Sequence, residues 1–563
     1  MSACTSKQTC DLICFNGRIH TIDDNDRVAE AFAVREGRFV AIGDNTTILS
    51  GWSAAEMVDL GKRNVFPGFI DAHAHLFGLG EEEITLQLIG SSSIDDVRER
   101  LRNHLTAQQG GTWIRGRGWD QNDWDEKLFP RKEDLDAIIL SRPVVLSRID
   151  GHAVWVNSRA LELSGITDET PDPEGGRILR DENGEATGIL LDNAIELVRR
   201  HIPPATVPEI LAAYHSAIAR CLALGITGMH DMGMHARGIE AIRTMIAQDE
   251  FPFHLVAYID DENPETWESL LHHGRQVIGN SQLILAGLKL YADGALGSRG
   301  AWLLGEYADD PGNHGIAIVD EEVITHEAAR AVGAGLQVCV HAIGDAAVRR
   351  ALNAYETALT MHPPSPYPLR IEHAQVISIE DIPRFASLGV VPSMQPTHCT
   401  SDMTWAEARL GARRVQIAYP WNTLISGGAY IPGGSDFPVE RPDPLAGIYA
   451  AAFRMDAEGR PSSQAHIDSF FQTDQTVADL PARWENGWFA DQCMSRADAI
   501  RAFTLWAARA AGMENERGSI EAGKWADFVI LSRDLTTVAR EDFLASRVLA
   551  TYVAGNAVYR HDE

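Results

Sequence analysis

The chain has 563 residues and a formal net charge of −30. That surplus of acid excludes a general binder of DNA, RNA or an anionic membrane, because each of those partners needs a basic face. Hydrophobic residues make up 45% and charged residues 23%, which provides for a large core and excludes global disorder. The length allows three or four domains, or one large barrel with satellites.

The opening stretch, MSACTSKQTCDLIC, has no long apolar core, so no signal peptide is expected. Short strand-like runs follow, DLICFNGRIHTI and AFAVREGRFVAIGD, with Asn16-Gly17 and Glu36-Gly37 as turn dipeptides. The C-terminal stretch has the same texture in SIEAGKWADFVILSRD and VLATYVAGNAVYR. Together the two ends predict a small β-sandwich over residues 1–66 plus 515–563. Between them, strand-like runs alternate with helical ones: VFPGFIDAHAH, GITGMHDMG, FHLVAYID, ILAGLKLYADG, LQVCVHAIGD, LRIEHAQ, VVPSMQPTH and AYIPGGSDFP. Near-continuous apolar runs suit buried parallel strands. Eight of them, most followed by a helix, predict an α/β fold: a (β/α)8 TIM barrel over residues 67–80 plus 206–514. The first two barrel strands are separated by roughly 150 residues, far beyond an ordinary connection. Residues 81–205 are therefore an inserted α/β lobe near the active-site mouth, with Asn183-Gly184 as one of its hairpin turns. A second insertion is expected around residues 456–490.

The seven cysteines are scattered and form no CxxC pair, which fits a reducing compartment rather than a disulfide framework. Apolar runs such as Ala329–Val340 are too short to cross a bilayer. A cytoplasmic protein without a membrane partner is expected.

Almost every predicted barrel strand ends in a residue able to hold a metal. His73 and His75 close the first and share a strand face, because the strand period is two. Lys289 lies in the fourth strand, while His341, His373 and Asp436 end the fifth, sixth and eighth. The C-terminal rim of such a barrel is where catalytic groups gather. Taken singly, an HxH is equally compatible with structural histidines, Lys289 with a surface ion pair, and Asp436 with a helix cap. Taken together, imidazoles with a carboxylate suit zinc or another borderline divalent ion, one or two per subunit. A buried lysine with a lowered pKa can capture carbon dioxide as a carbamate able to bridge two ions.

The segments FPGFIDAHAHLFGLG, GLKLYADGALGSRGAWL, VCVHAIGDAAV, RIEHAQ and GGSDFPVE resemble the amidohydrolase superfamily. More narrowly they are similar to amidohydrolase family 3, the YtcJ-like branch that includes the N-substituted formamide deformylases. The resemblance implies that His73 and His75 bind the more buried metal and that Lys289 is the carboxylated bridge. It implies that His341 and His373 bind the second metal, and that Asp436 is both a ligand and the catalytic acid/base. The implied reaction is attack of a metal-bound hydroxide on the C–N bond of a linear, non-peptide amide, an N-acyl or N-formyl amine. Lactone, ester or cyclic-amide hydrolysis and metal-dependent decarboxylation are the alternatives on the same barrel. A homodimer acting on a small molecule is implied as well.

Substrate contacts are expected from Tyr291, Arg299, His152, Trp119 and His398. For Arg299 the competing reading is an ion pair, for His152 a turn histidine, and for Trp119 and Trp124 core packing of the lobe. The loop ADGALGSRG reads as a tight turn at the barrel mouth rather than a nucleotide cradle. His230, His235, Asp231 and Asp345 are expected to orient ligands or loops. Cys399 has no activating partner, which argues against a thiolate nucleophile.

Overall fold

The structure, a computed structural model, describes residues 7–107, 112–121, 124–125, 127–148, 153–173, 175–362, 365–461 and 486–561. His152 and most of the insertion expected around residues 456–490 lie outside the described residues. The chain divides into two compact units, Met1–Leu76 with Ile218–Glu563, and Phe77–Ala217.

The first unit begins with β1 (Gln8–Phe15), β2 (Arg18–His20), β3 (Val28–Ala29), β4 (Ala31–Arg35), β5 (Arg38–Gly43), β6 (Trp52–Asp59) and β7 (Asn64–Pro67). Glu36 and Gly37 both have positive φ, the backbone that a tight turn between β4 and β5 requires. The first barrel strand is β8 (Phe69–Ala74). The second unit contains β9 (Leu86–Gln87), β10 (Ile114–Trp119), β11 (Val144–Arg148), β12 (Ala153–Val156), β13 (Gly176–Arg180) and β14 (Ala186–Asp192). They form one sheet in the order β13-β14-β12-β11-β10-β9. Gly184, at φ +86°, turns β13 into its antiparallel partner β14.

The barrel continues in the first unit with β15 (Ile226–Met234), β16 (His254–Asp260), β17 (Gln276–Ile278), β18 (Leu283–Tyr291), β19 (Gln337–Ala342), β20 (Arg370–His373) and β21 (Val391–Ser393). Seven of these barrel strands form a parallel ladder in the order β21-β20-β19-β18-β16-β15-β8, and the short β17 lies antiparallel against β18. Their apolar character follows from burial on both faces; every residue of β18 but Tyr291 is buried. Helices packed around the ladder bury one stripe each, as Ala236–Ala247 does with Ile239, Ile242 and Met245. Each fully buried aliphatic side chain of this kind contributes about 1.5–3 kcal/mol.

The eighth predicted strand differs from expectation. AYIPGGSDFP forms no regular strand, because Pro432 lacks an N–H and Gly433 and Gly434 weaken strand pairing. It still bridges the gap between β21 and β8: Met394 N donates to Pro432 O at 3.1 Å, and Ala72 N donates to Gly433 O at 3.0 Å. The barrel sheet is thereby nearly closed.

Three last strands are β22 (Phe528–Leu531), β23 (Val548–Val553) and β24 (Asn556–Arg560). They join the N-terminal strands in the sheet order β24-β23-β22-β7-β2-β3, with Val65 of β7 opposite Ile530 of β22. A second sheet, β5-β4-β1-β6, packs on it through a shared core that includes Phe32, Phe39, Phe528 and Tyr552.

Candidate metal centre

Strand period and strand order bring the metal-competent side chains together. A cavity of about 420 Å³ is lined by His73, His75, Lys289, His341, His373 and Asp436. One ligand atom each of His73, His373 and Asp436 lie within 4.8 Å of one another. Asp436 Oδ1 is 3.4 Å from His73 Nε2 and 3.1 Å from His75 Nε2. All six side chains predicted as ligands thus face one space.

The rings are oriented from behind. His73 Nδ1 lies 2.6 Å from Glu372 Oε2, and His373 Nδ1 lies 2.8 Å from Gln395 Oε1. Each acceptor fixes the proton on Nδ1 and leaves the Nε2 lone pair toward the cavity, the arrangement in which histidine binds a metal. Glu372 is held in turn by Arg370, whose Nε donates to Oε1 at 2.8 Å. The same guanidinium reaches Ala72 O, Ser393 Oγ and His230 Nδ1 at 2.7, 2.9 and 2.8 Å. Against the cost of burial, Arg370 and His73 hold the Glu372 carboxyl well below the usual carboxylate range.

The loop carrying Asp436 is tied to β8. Asp71 accepts from Ser435 Oγ at 2.6 Å and from the His73 N–H at 3.1 Å. Asp436 N donates to His73 O at 2.7 Å. A Cβ on Gly434 would come within 2.6 Å of His73 N and 2.8 Å of Asp71 Oδ1, so glycine is required there. Asp436 and His373 have φ of +60° and +70°, unusual for residues with side chains and typical of strain kept at functional sites. Asp436 caps no helix; Asp443 does so for Pro444–Phe453.

Electrostatics suit cation binding. Against its burial, His73 and His75 hold Asp436 well below the usual carboxylate range. Burial lowers the Lys289 amine below its ordinary pKa. Burial, with Lys289 beside it, pushes His341 down to about 3, so its imidazole is neutral. His341 Nε2 and Asp436 Oδ1 are buried and make no hydrogen bond among the described residues. Unsatisfied buried lone pairs on imidazole and carboxylate, converging with His73 and His373, fit a borderline divalent cation.

The substrate-contact expectations divide. Tyr291 and His398 line the cavity, and the His398 ring stacks on His373 at 5.9 Å. His398 and Cys399 sit on a helix, Pro396–Asp402, rather than in a loop. Burial pushes the Cys399 thiol up to about 12, which removes it as a nucleophile. Arg299 is corrected to a structural role: Asp309 occupies its guanidinium at 3.0 and 2.9 Å, and it does not line the cavity. Trp119 is corrected to a core residue, fully buried against Trp124 and Trp155, with its indole N–H donating to Leu146 O at 2.8 Å. His152 lies outside the described residues.

The supporting residues have several tasks. His230 accepts from Arg370, Asp231 accepts from Leu76 N at 3.0 Å, and Asp345 accepts from Leu304 N at 2.8 Å. His235 pairs with Asn263 instead. The predicted mouth loop folds on itself, Gly300 N donating to Ala295 O at 2.9 Å, and its residues 295–297 line the cavity. Glu372, Arg370, Gln395, Asp293 and Asp402 were not singled out in the sequence. Asp293 lies 3.5 Å from His341 Nε2 and accepts three backbone N–H groups, yet burial raises it to about 7. The available signal for the first two was Arg370 and Glu372 alternating within a strand otherwise built for burial.

The described residues include no helix long and apolar enough to cross a membrane. The family described as "Amidohydrolase family" matches residues 56–559. The YtcJ protein of Bacillus subtilis is 33% identical, with 96% of this chain and 98% of that protein covered. An N-substituted formamide deformylase of Arthrobacter pascens is 27% identical, covering 97% of this chain and 98% of that protein. Among solved structures, an uncharacterized metal-dependent hydrolase of Pyrococcus horikoshii has a TM-score of 0.75 at 28% identity, over 94% of this chain and 99% of that one. Family match, barrel and converging ligand set agree, and the chain belongs to the amidohydrolase family.

Proposed function

We infer that the protein hydrolyses C–N bonds of linear amides, N-acyl or N-formyl amines, with one or two divalent ions of the zinc type. His73, His75, Lys289, His341, His373 and Asp436 would hold the metal, Lys289 as its carbamate where two ions are bound. The observation that carries this reading is the convergence of His73, His373 and Asp436, whose ligand atoms lie within 4.8 Å of one another on a cavity that His75, Lys289 and His341 also line. The formamide deformylase of Arthrobacter pascens supports N-formyl amines as the first substrates to try.

A bound ion of this kind acidifies water and polarises a carbonyl oxygen. The chain supplies the rest. Asp436 stays ionised and accepts the proton of the attacking water at a carboxylate oxygen, then returns it to the departing nitrogen. Tyr291 and His398 flank the reacting carbonyl from the cavity wall. The division expected from the sequence into composite sandwich, barrel and inserted lobe accompanies this reading.

The test pairs metal stoichiometry by mass spectrometry with turnover of N-formyl amines, N-acyl amines, N-acyl amino acids and lactones. Amine release with near-integral divalent metal supports the reading. Lactone turnover without amide turnover replaces it with ester hydrolysis, and carbon dioxide without water addition replaces it with decarboxylation.

A further inference from the structure

A second cavity lies at the opposite end of the barrel from the metal centre. Ile70, Gly228, His254 and Ile284, near the starts of β8, β15, β16 and β18, line it together with Ser281 and Arg517. Its volume is about 10 Å³, room for one group the size of a water molecule. Arg517 follows the helix Leu505–Ala510 and precedes β22, so it joins the barrel floor to the chain that enters that strand.

Arg517 is 5% exposed, and none of its guanidinium nitrogens makes a hydrogen bond among the described residues. The other buried arginines among those residues are used. Arg370 donates to Glu372, Ala72 O and Ser393 Oγ, and Arg454 donates to Trp488 O and Tyr419 O. Asp527 Oδ2 is 3.9 Å from Arg517 Nη1, beyond hydrogen-bond reach. That carboxylate is shared with His254 Nε2 at 3.2 Å and with Ala554 N, which donates to it at 2.9 Å. Burial lowers the Arg517 pKa, an effect that Asp527 and Glu516 oppose only in part. Among the described residues no carboxylate lines the cavity, Asp527 included.

A buried guanidinium without acceptors bears the full desolvation cost of its N–H groups. A group that removes this cost must fit a water-sized space, accept from several N–H groups at once and offset positive charge. A halide ion meets all three conditions. A water molecule carries no charge and brings two protons of its own to a lining without carboxylate.

We propose that Arg517 and this cavity form a binding site for one small monovalent anion of halide size, with chloride as the natural occupant. The bound anion ties the start of β16 to the chain entering β22, and it stabilises the fold by mass action. The site is at the far end of the strands from the metal centre, so it does not rest on the amide-hydrolase reading.

The experiment uses the metal-loaded full chain and has two arms. The first compares unfolding temperature in potassium chloride and in potassium gluconate at equal ionic strength. Wild type should melt about 3 °C or more higher in chloride, and Arg517→Met should melt alike in both salts. Equal melting of wild type in the two salts, or a chloride effect unchanged in Arg517→Met, overturns the proposal; the second result would place the chloride on the metal or the surface. The other arm needs no variant, so it decides the matter even where Arg517→Met does not fold. Crystals of wild type grown in bromide should show an anomalous peak within hydrogen-bond distance of the Arg517 guanidinium. Density there without an anomalous signal identifies a water and overturns the proposal, as does bromide found only at the metal centre.

Discussion

Glu372 Oε2 lies 2.6 Å from Nδ1 of His73, a residue 299 positions away in the chain, with both side chains almost wholly buried. The next residue, His373, turns to φ +70° and faces the cavity. Adjacent positions of β20 thus hold the His73 ring from behind and line the cavity from in front.

Removing one partner of a buried charged pair leaves the other uncompensated. Glu372→Gln should destabilise the first unit by about 3–5 kcal/mol, read from denaturant unfolding. A loss below about 1 kcal/mol would show that Arg370 finds other acceptors, with Ala72 O and His230 already in reach.

Gln395 fixes the tautomer of His373 without lining the cavity. Gln395→Leu should weaken metal retention about 10- to 100-fold in a chelator competition while the fold stays intact. Unchanged retention would mean that strand packing alone orients the ring.

Asp436→Asn keeps an oxygen in place but cannot accept the proton. Turnover should fall by about 10²–10⁴-fold with most of the metal retained. Near-normal turnover refutes the assigned acid/base role.

Dialysis against a chelator should lower the unfolding temperature, and added zinc should restore it, because a ligand that binds only the folded chain stabilises it by mass action. Identical melting before and after dialysis, with metal shown to be removed, would contradict the ligand assignment.

Burial raises the Asp402 carboxyl to about 7. Folded protein therefore keeps a proton that the unfolded chain releases near pH 4, and stability falls as pH rises from about 4 to about 7. The contribution is a few kcal/mol, present in full below pH 4 and absent above pH 7. Asp402→Asn should flatten the wild-type fall in unfolding temperature across that window; an unchanged slope would show that the carboxyl ionises freely.

The six side chains proposed to hold the metal stood out in the sequence because most of them close a short apolar run, and parallel strands bring such ends to one rim. AYIPGGSDFP was harder to read: its apolar residues suggest a strand, whereas its proline and glycines bridge the rim without one. Glu372 and Arg370 escaped notice because adjacent strand residues face opposite ways, and only the folded barrel brings Glu372 behind His73. Arg299 and Trp119 misled for a common reason. A polar or aromatic residue near the mouth in sequence finds its partner elsewhere, Asp309 in one case and the lobe core in the other.

The pairing of β7 with β22 also sets a timetable for biosynthesis. The edge of β7 stays open until residues 528–531 have left the ribosome, and the barrel begins two residues after that edge. A nascent chain therefore carries a bare hydrogen-bonding edge through most of its translation, when stray β pairing with other chains is most costly. Early stop codons upstream of β22 should yield inclusion bodies rather than shortened soluble enzyme, and chaperone demand should peak late in synthesis.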